Sequence, residues 1–457
     1  MSGGGSVRIA SGQGFWGDWL EAPVRQVEAG PIDYLMMDYL AEVTMSILQK
    51  QRDRDPSQGY ARDFVPLMGR ILPTCRDRGV RVIANAGGVN PISCRDAVLD
   101  VAREAGLGGA LRVGVITGDD LMGRLDALLA AGIELRNMDT GDPLESVRDH
   151  IRSANAYIGA APIVAALEDG ADVIIAGRTT DTALTYAPMM FEHGWGAEDW
   201  DRIAAGVVAG HINECGAQST GGNTGVDWQS IDYVNIGYPI IESQQNGEFI
   251  VTKHDALSGR VTVATVTEQL LYEMGDPAEY ITPDCIADFR TIRLEQAGED
   301  RVRVSGVRGR QATGMLKVSV SYLAGYKAVG TMVYSWPDAY KKARAADRTI
   351  RGRLERMGLE FDQIHTEFLG AGACHGPLAG PPGEDLPEVE LRIGVRHSSE
   401  RTSVERFTRE IAGLILAGPP TATGFGGGRP RVQEMVAYWP ALIPKTEVEP
   451  VIDVRTA

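Results

Sequence analysis

Five short apolar runs punctuate the first part of the chain: VRIAS (7–11), DYLMMDYL (33–40), RVIANAG (81–87), LRVGVITG (111–118) and ADVIIAG (171–177). A strand buried on both faces reads as such an unbroken run, because neither face is left for water. Helix-like stretches separate the runs, and over 61–79, 93–105, 119–131 and 155–169 apolar residues recur at three- and four-residue spacing. Strand and helix in alternation predict a parallel, doubly wound sheet covered on both sides.

The pattern changes after about residue 230. YVNIGYPIIES and EFIVTKH flank QQNGE, whose Asn246-Gly247 pair is a hairpin turn signal. A helix is expected over 265–274, then strands in DRVRVSGV, LKVSVSYL and AVGTMVYS, a helix over 337–357, strands in IHTEFL and EVELRIGV, a helix over 402–416 and a strand in VQEMVAYW. The expected fold class is α/β, a doubly wound and mostly parallel sheet over 1–228. A hairpin and linking helix over 229–290 complete the site, and an α+β, ferredoxin-like domain fills 291–457.

With 457 residues, 44% hydrophobic and 23% charged, the chain can bury a large core. No run approaches the ~18 apolar residues of a membrane helix, so no membrane partner is expected. A net charge of -16 argues against nucleic acid, whose binding needs a basic surface. Five cysteines with no CxxC, and seven histidines with no HxH or HExxH, predict no metal site and a reducing, cytoplasmic setting.

Gly12, Gly14 and Gly17 in SGQGFWGD spell GxGxxG, the pattern of a dinucleotide loop. Two neighbours argue otherwise. Asp18 puts a carboxylate at the mouth of a phosphate cradle, where it would repel a pyrophosphate or cap the helix itself. Pro23 belongs in a first helical turn, so the helix is expected to begin near Ala22. The stretch then reads as a ligand loop of another kind, or as glycines imposed by packing alone.

Polar residues gather where the parallel strands end, which is where open α/β sheets bind ligands. Asp18, Asp38 with Glu42, Asn85 and Asn90, Asp119 with Asp120, and Arg178, Thr180 and Asp181 all fall there. Asp119 and Asp181 are also suited to capping the helices that follow, and Arg178 to a plain ion pair with Asp181. HINECGAQSTGG (211–222) adds Glu214 as an acid or base and Cys215 as a nucleophile, with His211 the local candidate to activate it. Lys253 and His254 in VTKHDALSGRV, and Arg429 in GFGGGRPR, could hold an anionic group.

Together GFWGD, NAGGVNP, AGRTTDTAL, NECGAQSTGG, NIGYPIIE, TVTEQLLYEMGDPAEYITPD and PPTATGFGGGRPRVQEMVAYWP resemble the acyclic terpene utilisation AtuA family, over about residues 7–445. The resemblance implies a bacterial protein associated with breakdown of branched acyclic terpenoids and related acids as coenzyme A thioesters. It implies no residue roles. One departure is visible: where a glycine-rich TKxxGTGG-like turn is expected, the chain has TKHDALSGR.

The residues point to an enzyme acting on a small acid or its CoA thioester by acid/base chemistry of the lyase or hydratase type, with no bound cofactor required. Asp18, Asp181 and Glu214 are the expected acids and bases. Asn85 or the STGG backbone would polarise a carbonyl, and Gly14, Asp38, Asn90, Arg178 and Thr180 would bind substrate. Acyl transfer or thioester hydrolysis through Cys215 or a carboxylate is the alternative, and a non-catalytic subunit of an acyl-CoA pathway a third. A homo-oligomer is expected.

Overall fold

The computed structural model describes residues 5–383, 385–424 and 428–457. Its organising element is a ten-stranded sheet. In chain order the first strands are β1 (Val7–Gln13), β2 (Tyr34–Met37), β3 (Arg81–Ala84), β4 (Arg112–Thr117), β5 (Ile151–Ala156), β6 (Val173–Ala176), β7 (Ile240–Ser243) and β8 (Phe249–Thr252). Across the sheet the order is Arg293–Gly298, Arg301–Ser305, β8, β7, β1, β2, β3, β6, β4, Val451–Thr456. The central five, β1-β2-β3-β6-β4, are parallel, and the flanks on either side are antiparallel.

The apolar runs are continuous because both faces are covered, yet each face receives alternate residues. Tyr34, Met36, Ile83 and Ile174 enter one core with Ile163 and the helices Ala183–His193 and Trp200–Asn213. Leu35, Met37, Val82 and Ile175 enter the other, against the helices Phe64–Arg78 and Pro91–Glu104. A one-residue slip of any strand would exchange its two sets, so register is fixed by packing on both sides.

Strand order runs outward from β1 to β3, β4 lies beyond, and β6 returns between β3 and β4. Such a reversal opens a crevice at the carboxyl ends of the strands.

Several local expectations are corrected. The stretch 155–169 is not one helix: its first residues end β5, and the helix is Ala161–Glu168. LKVSVSYL and AVGTMVYS are one strand, Met315–Ser335, bridged by Gly325 at φ +119, where no Cβ fits against the His397 carbonyl. The helix 119–131 shrinks to a 3-10 turn and Leu125–Ala130. The hairpin does form across Asn246-Gly247, Gly247 taking φ +90, and it extends the large sheet, as do the strands Arg293–Gly298 and Arg301–Ser305.

The chain forms two compact units, Met1–Ser321 with Tyr438–Ala457, and Tyr322–Ala437. The second runs β-α-β-β-α-β through its part of Met315–Ser335, helix Ala339–Arg356, strands Gln363–Leu369 and Glu388–His397, helix Arg401–Ala417 and strand Ala422–Gly424, and ends in the first residues of Gln433–Pro444, a strand that also pairs with Met315–Ser335. Their sheet order, second-third-first-fourth, is antiparallel throughout. Ala343, Ile350, Leu354, Val404, Phe407 and Ile411 from the two helices cover one face of it.

Among the described residues no helix is long and apolar enough to cross a membrane.

Candidate functional site

A cleft of about 570 Å³ opens at the carboxyl ends of β1, β2 and β6 in the first unit. Loops from five elements supply its walls. Gly14, Phe15 and Asp18 follow β1; Asp38, Leu40 and Glu42 follow β2; Arg178 and Asp181 follow β6; Glu214 to Asn223 follow the helix Trp200–Asn213; Tyr272 and Glu273 follow the helix Val263–Leu271.

The glycines after β1 are explained by close approach. A Cβ on Gly14 would lie 2.8 Å from the Gly216 nitrogen and 3.0 Å from the Glu214 carbonyl oxygen, so only glycine lets the two loops meet. Gly12 is hemmed in by Leu35 and Met37, and Gly17 takes φ +109. The helix begins at Glu21, four residues beyond Gly17, with Pro23 in its first turn. Asp18 does not cap that helix. Its Oδ2 accepts from the Gly14 N–H at 2.9 Å, and its Oδ1 accepts from the Trp19 N–H at 2.7 Å and the Tyr238 hydroxyl at 2.6 Å.

Asp38 is 5% exposed. Its Oδ1 accepts from the Asn85 amide at 2.6 Å and from the Leu40 N–H at 3.1 Å, leaving Oδ2 as the oxygen that can carry a proton. Burial, and then the neighbouring Asp181 charge, push its carboxyl well above the usual aspartate value, with Arg178 and Asn85 opposing. Asn85 itself does not line the cleft. It is fully buried beneath Asp38, with its oxygen accepting from the Tyr39 N–H at 2.7 Å.

Arg178, 1% exposed, donates from Nη1 to the Leu40 carbonyl at 2.6 Å and to Asp181 at 2.6 Å. Its guanidinium carbon lies 4.2 Å from the centre of the Tyr157 ring, a cation–π contact. Its Nε has no partner. A third of the Asp181 side chain (33%) faces the cleft. Burial lifts this carboxyl to about 6, with Glu214 adding to the rise and Arg178 restraining it. Glu42 behaves oppositely: burial would raise it, but bonds from its own backbone and from the Tyr157 hydroxyl (2.8 Å), with Arg178 and Lys317 nearby, hold it below the usual value.

Glu214 is 9% exposed, its Oε1 lies 3.0 Å from His211 Nδ1, and its Oε2 is unpartnered. Burial would lower His211, but the bond to Glu214 outweighs it and the ring titrates above its ordinary value. Tyr280 and Phe289 pack edge-on against that ring and set its plane. His211 therefore serves Glu214, where the sequence suggested Cys215. The Cys215 thiol is pushed up by burial and then by the Glu214 charge, the reverse of the cationic setting that activates a thiolate.

The other sequence candidates lie elsewhere. Asn90 caps the helix Pro91–Glu104, its oxygen accepting from the Ser93 N–H and its amide donating to the Pro56 and Gln58 carbonyls. Thr180 contacts Thr182 and does not line the cleft. Asp119 caps no helix: it accepts from Asn155 at 2.9 Å and the Arg178 N–H at 2.8 Å, and burial lifts it to about 6. Lys253 pairs with Asp300 at 2.9 Å and donates to the Leu257 carbonyl at 2.7 Å, and His254 Nε2 lies 3.0 Å from the Gln26 carbonyl. Arg429 belongs to the second unit and is exposed, and residues 425–427 of its glycine run lie outside the described residues.

Sequence reasoning passed over Tyr157, Tyr238, Tyr272 and Glu273. For Tyr238, Tyr272 and Glu273 the signal available was their position inside the quoted motifs NIGYPIIE and TVTEQLLYEMGD; Tyr157 lies in no such motif, and nothing local marks a tyrosine as a wall. Among the described residues no group of three or more His, Cys, Asp or Glu is arranged to hold a metal ion.

Residues 7–454 match the model of a family described as acyclic terpene utilisation family protein AtuA. No curated protein matches the chain. A solved structure of S. aureus homoserine dehydrogenase at pH 6.5 aligns over 91% of this chain and 84% of that one at 8% identity, with a TM-score of 0.15, too low to carry any argument.

Proposed function

The chain belongs to the acyclic terpene utilisation AtuA family, and from that premise we propose that it is an enzyme of small-acid or acyl-CoA catabolism working by acid/base chemistry, of the hydratase or lyase type. The observation that carries this reading is that one cleft brings together Asp38 and Asp181, whose carboxyls burial pushes up, and Glu214, whose Oε1 is held by His211 and whose Oε2 has no partner. Carboxyl groups in such unlike environments divide the acid and base roles.

In this reading the unpartnered Oε2 of Glu214 takes a proton from the carbon next to the substrate carbonyl. His211, bonded to the other oxygen, fixes its direction. Asp38, whose carboxyl burial pushes well above the usual aspartate value, donates a hydrogen bond from its protonated form to the oxygen on which negative charge develops. Asp181 delivers or collects the second proton, and its value of about 6 lets it exchange near neutral pH. Asp18 and Arg178 hold the loops and Asp181 in place.

Incubation with CoA thioesters of acyclic terpenoid acids in deuterium oxide tests this, with mass spectrometry reading solvent deuterium in the acyl chain. The wild type is expected to introduce deuterium, and E214Q and D181N to lose that exchange while remaining folded. Deuterium-free substrate with the wild type, or undiminished exchange in E214Q, would end the reading.

A further inference from the structure

Six carboxyl groups line the cleft, those of Asp18, Asp38, Glu42, Asp181, Glu214 and Glu273, and among the described lining residues Arg178 is the one cation. That guanidinium has little to offer an anion. Its terminal nitrogens are directed to Asp181 and the Leu40 carbonyl, and one face is stacked on Tyr157. Nε has no partner, but it is enclosed by protein and offers the cleft no free donor. A carboxylate asks for the two-pronged fork, which is occupied.

Oε2 of the nine-tenths-buried Glu214, a residue that lines the cleft, is an unpartnered acceptor. It would repel an anion at contact distance and would welcome a hydroxyl or an acidified C–H. Phe15, Leu40, Ala41 and Ala217 supply apolar wall between these polar points. A volume of about 570 Å³ lies within the range of small-ligand pockets.

We propose that the cleft takes the uncharged carbonyl form of a small apolar acid, a thioester or ester, and turns the free carboxylate away. The inference rests on the acid/base reading for what happens to the substrate, but not for which form enters. The phosphates of a CoA carrier then remain outside the ring of carboxyl groups, and only the acyl end and its thioester carbonyl go in.

The test compares two matched probes, citronellate and its uncharged N-acetylcysteamine thioester, titrated against the full chain by thermal shift at low and high salt. The thioester is expected to bind at least about tenfold tighter than the carboxylate at low salt. Salt, and the variant E273Q, should narrow that gap by improving carboxylate binding, because both weaken the field. Equal or tighter binding of citronellate overturns the proposal, as does failure of the thioester to bind or a gap that neither salt nor E273Q changes. Deuterium exchange in E214Q separates the two readings: an E214Q variant that keeps exchange ends the acid/base mechanism and leaves the binding preference standing.

Discussion

Two groups of buried ionisable side chains in the first unit look alike in sequence and differ in one physical respect. Around the cleft, Glu214 and Arg178 each retain an atom with no partner. At the corner formed by Lys253 and His254 the partners are found within the fold: Lys253 is bonded to Asp300 and the Leu257 carbonyl, and His254 to the Gln26 carbonyl. Buried polar groups without partners cost stability. Such atoms also occur away from the cleft, Gln26 Oε1 beside His254 among them, so what sets Glu214 and Arg178 apart is that they line an open cavity.

Exchanging the lesions between the two groups sharpens this contrast most. E214Q is expected to lower turnover by roughly 10²–10⁴-fold, the usual contribution of a positioned base, with little change in urea midpoint. K253A is expected to do the opposite, lowering stability by up to about 3 kcal/mol while leaving turnover per folded molecule intact. The low end of the buried-pair range applies because Asp300 keeps 24% of its side chain exposed. An E214Q variant that unfolds, or a K253A variant that is stable and inactive, would erase the distinction.

Gly30 offers a milder probe of the structural corner. A Cβ there would lie 2.7 Å from His254 Nδ1, in extended backbone that any residue adopts, so the cost of G30A is purely the clash. A loss of about 1–3 kcal/mol in chemical denaturation is expected, with ligand-induced thermal shifts unchanged.

The smallest effect concerns the floor of the switch point. Asp119, 3% exposed, is lifted by burial from 3.8 to about 6. The folded state therefore binds more protons there than the unfolded chain, and the stability this contributes is present at low pH and lost as pH rises through that window. The stability difference between wild type and D119N should fall as pH rises from 3.8 to about 6 and flatten above it, as read from urea midpoints. A difference that grows with pH across that interval would mean that Asp119 is ionised and stabilised by Asn155 and the Arg178 N–H instead.

Much of the cleft was readable before any coordinates, because position at a strand's end is a local property. Asp18, Asp38, Arg178 and Asp181 stand out on that ground, Glu214 on the glycine- and hydroxyl-rich stretch beside it, and the five lie together. Asn85 was singled out on the same ground and lies underneath, and Lys253 and His254 were singled out as cations and lie at a different corner.

The sequence by itself determined the five parallel strands of the main sheet, their two-sided burial and the likeness to a family, since apolar periodicity and turn chemistry act over a few residues; Ile151–Ala156 and Val451–Thr456 escaped it. Pro23 also placed the helix start beyond the GxGxxG glycines, and the helix begins at Glu21. Only the tertiary structure decided which charges are spent. Gln26 reaching His254, Asp300 reaching Lys253 and Leu40 reaching Arg178 are pairings between distant parts of the chain. Whether a buried polar atom is satisfied depends on such pairings, and no local pattern encodes them.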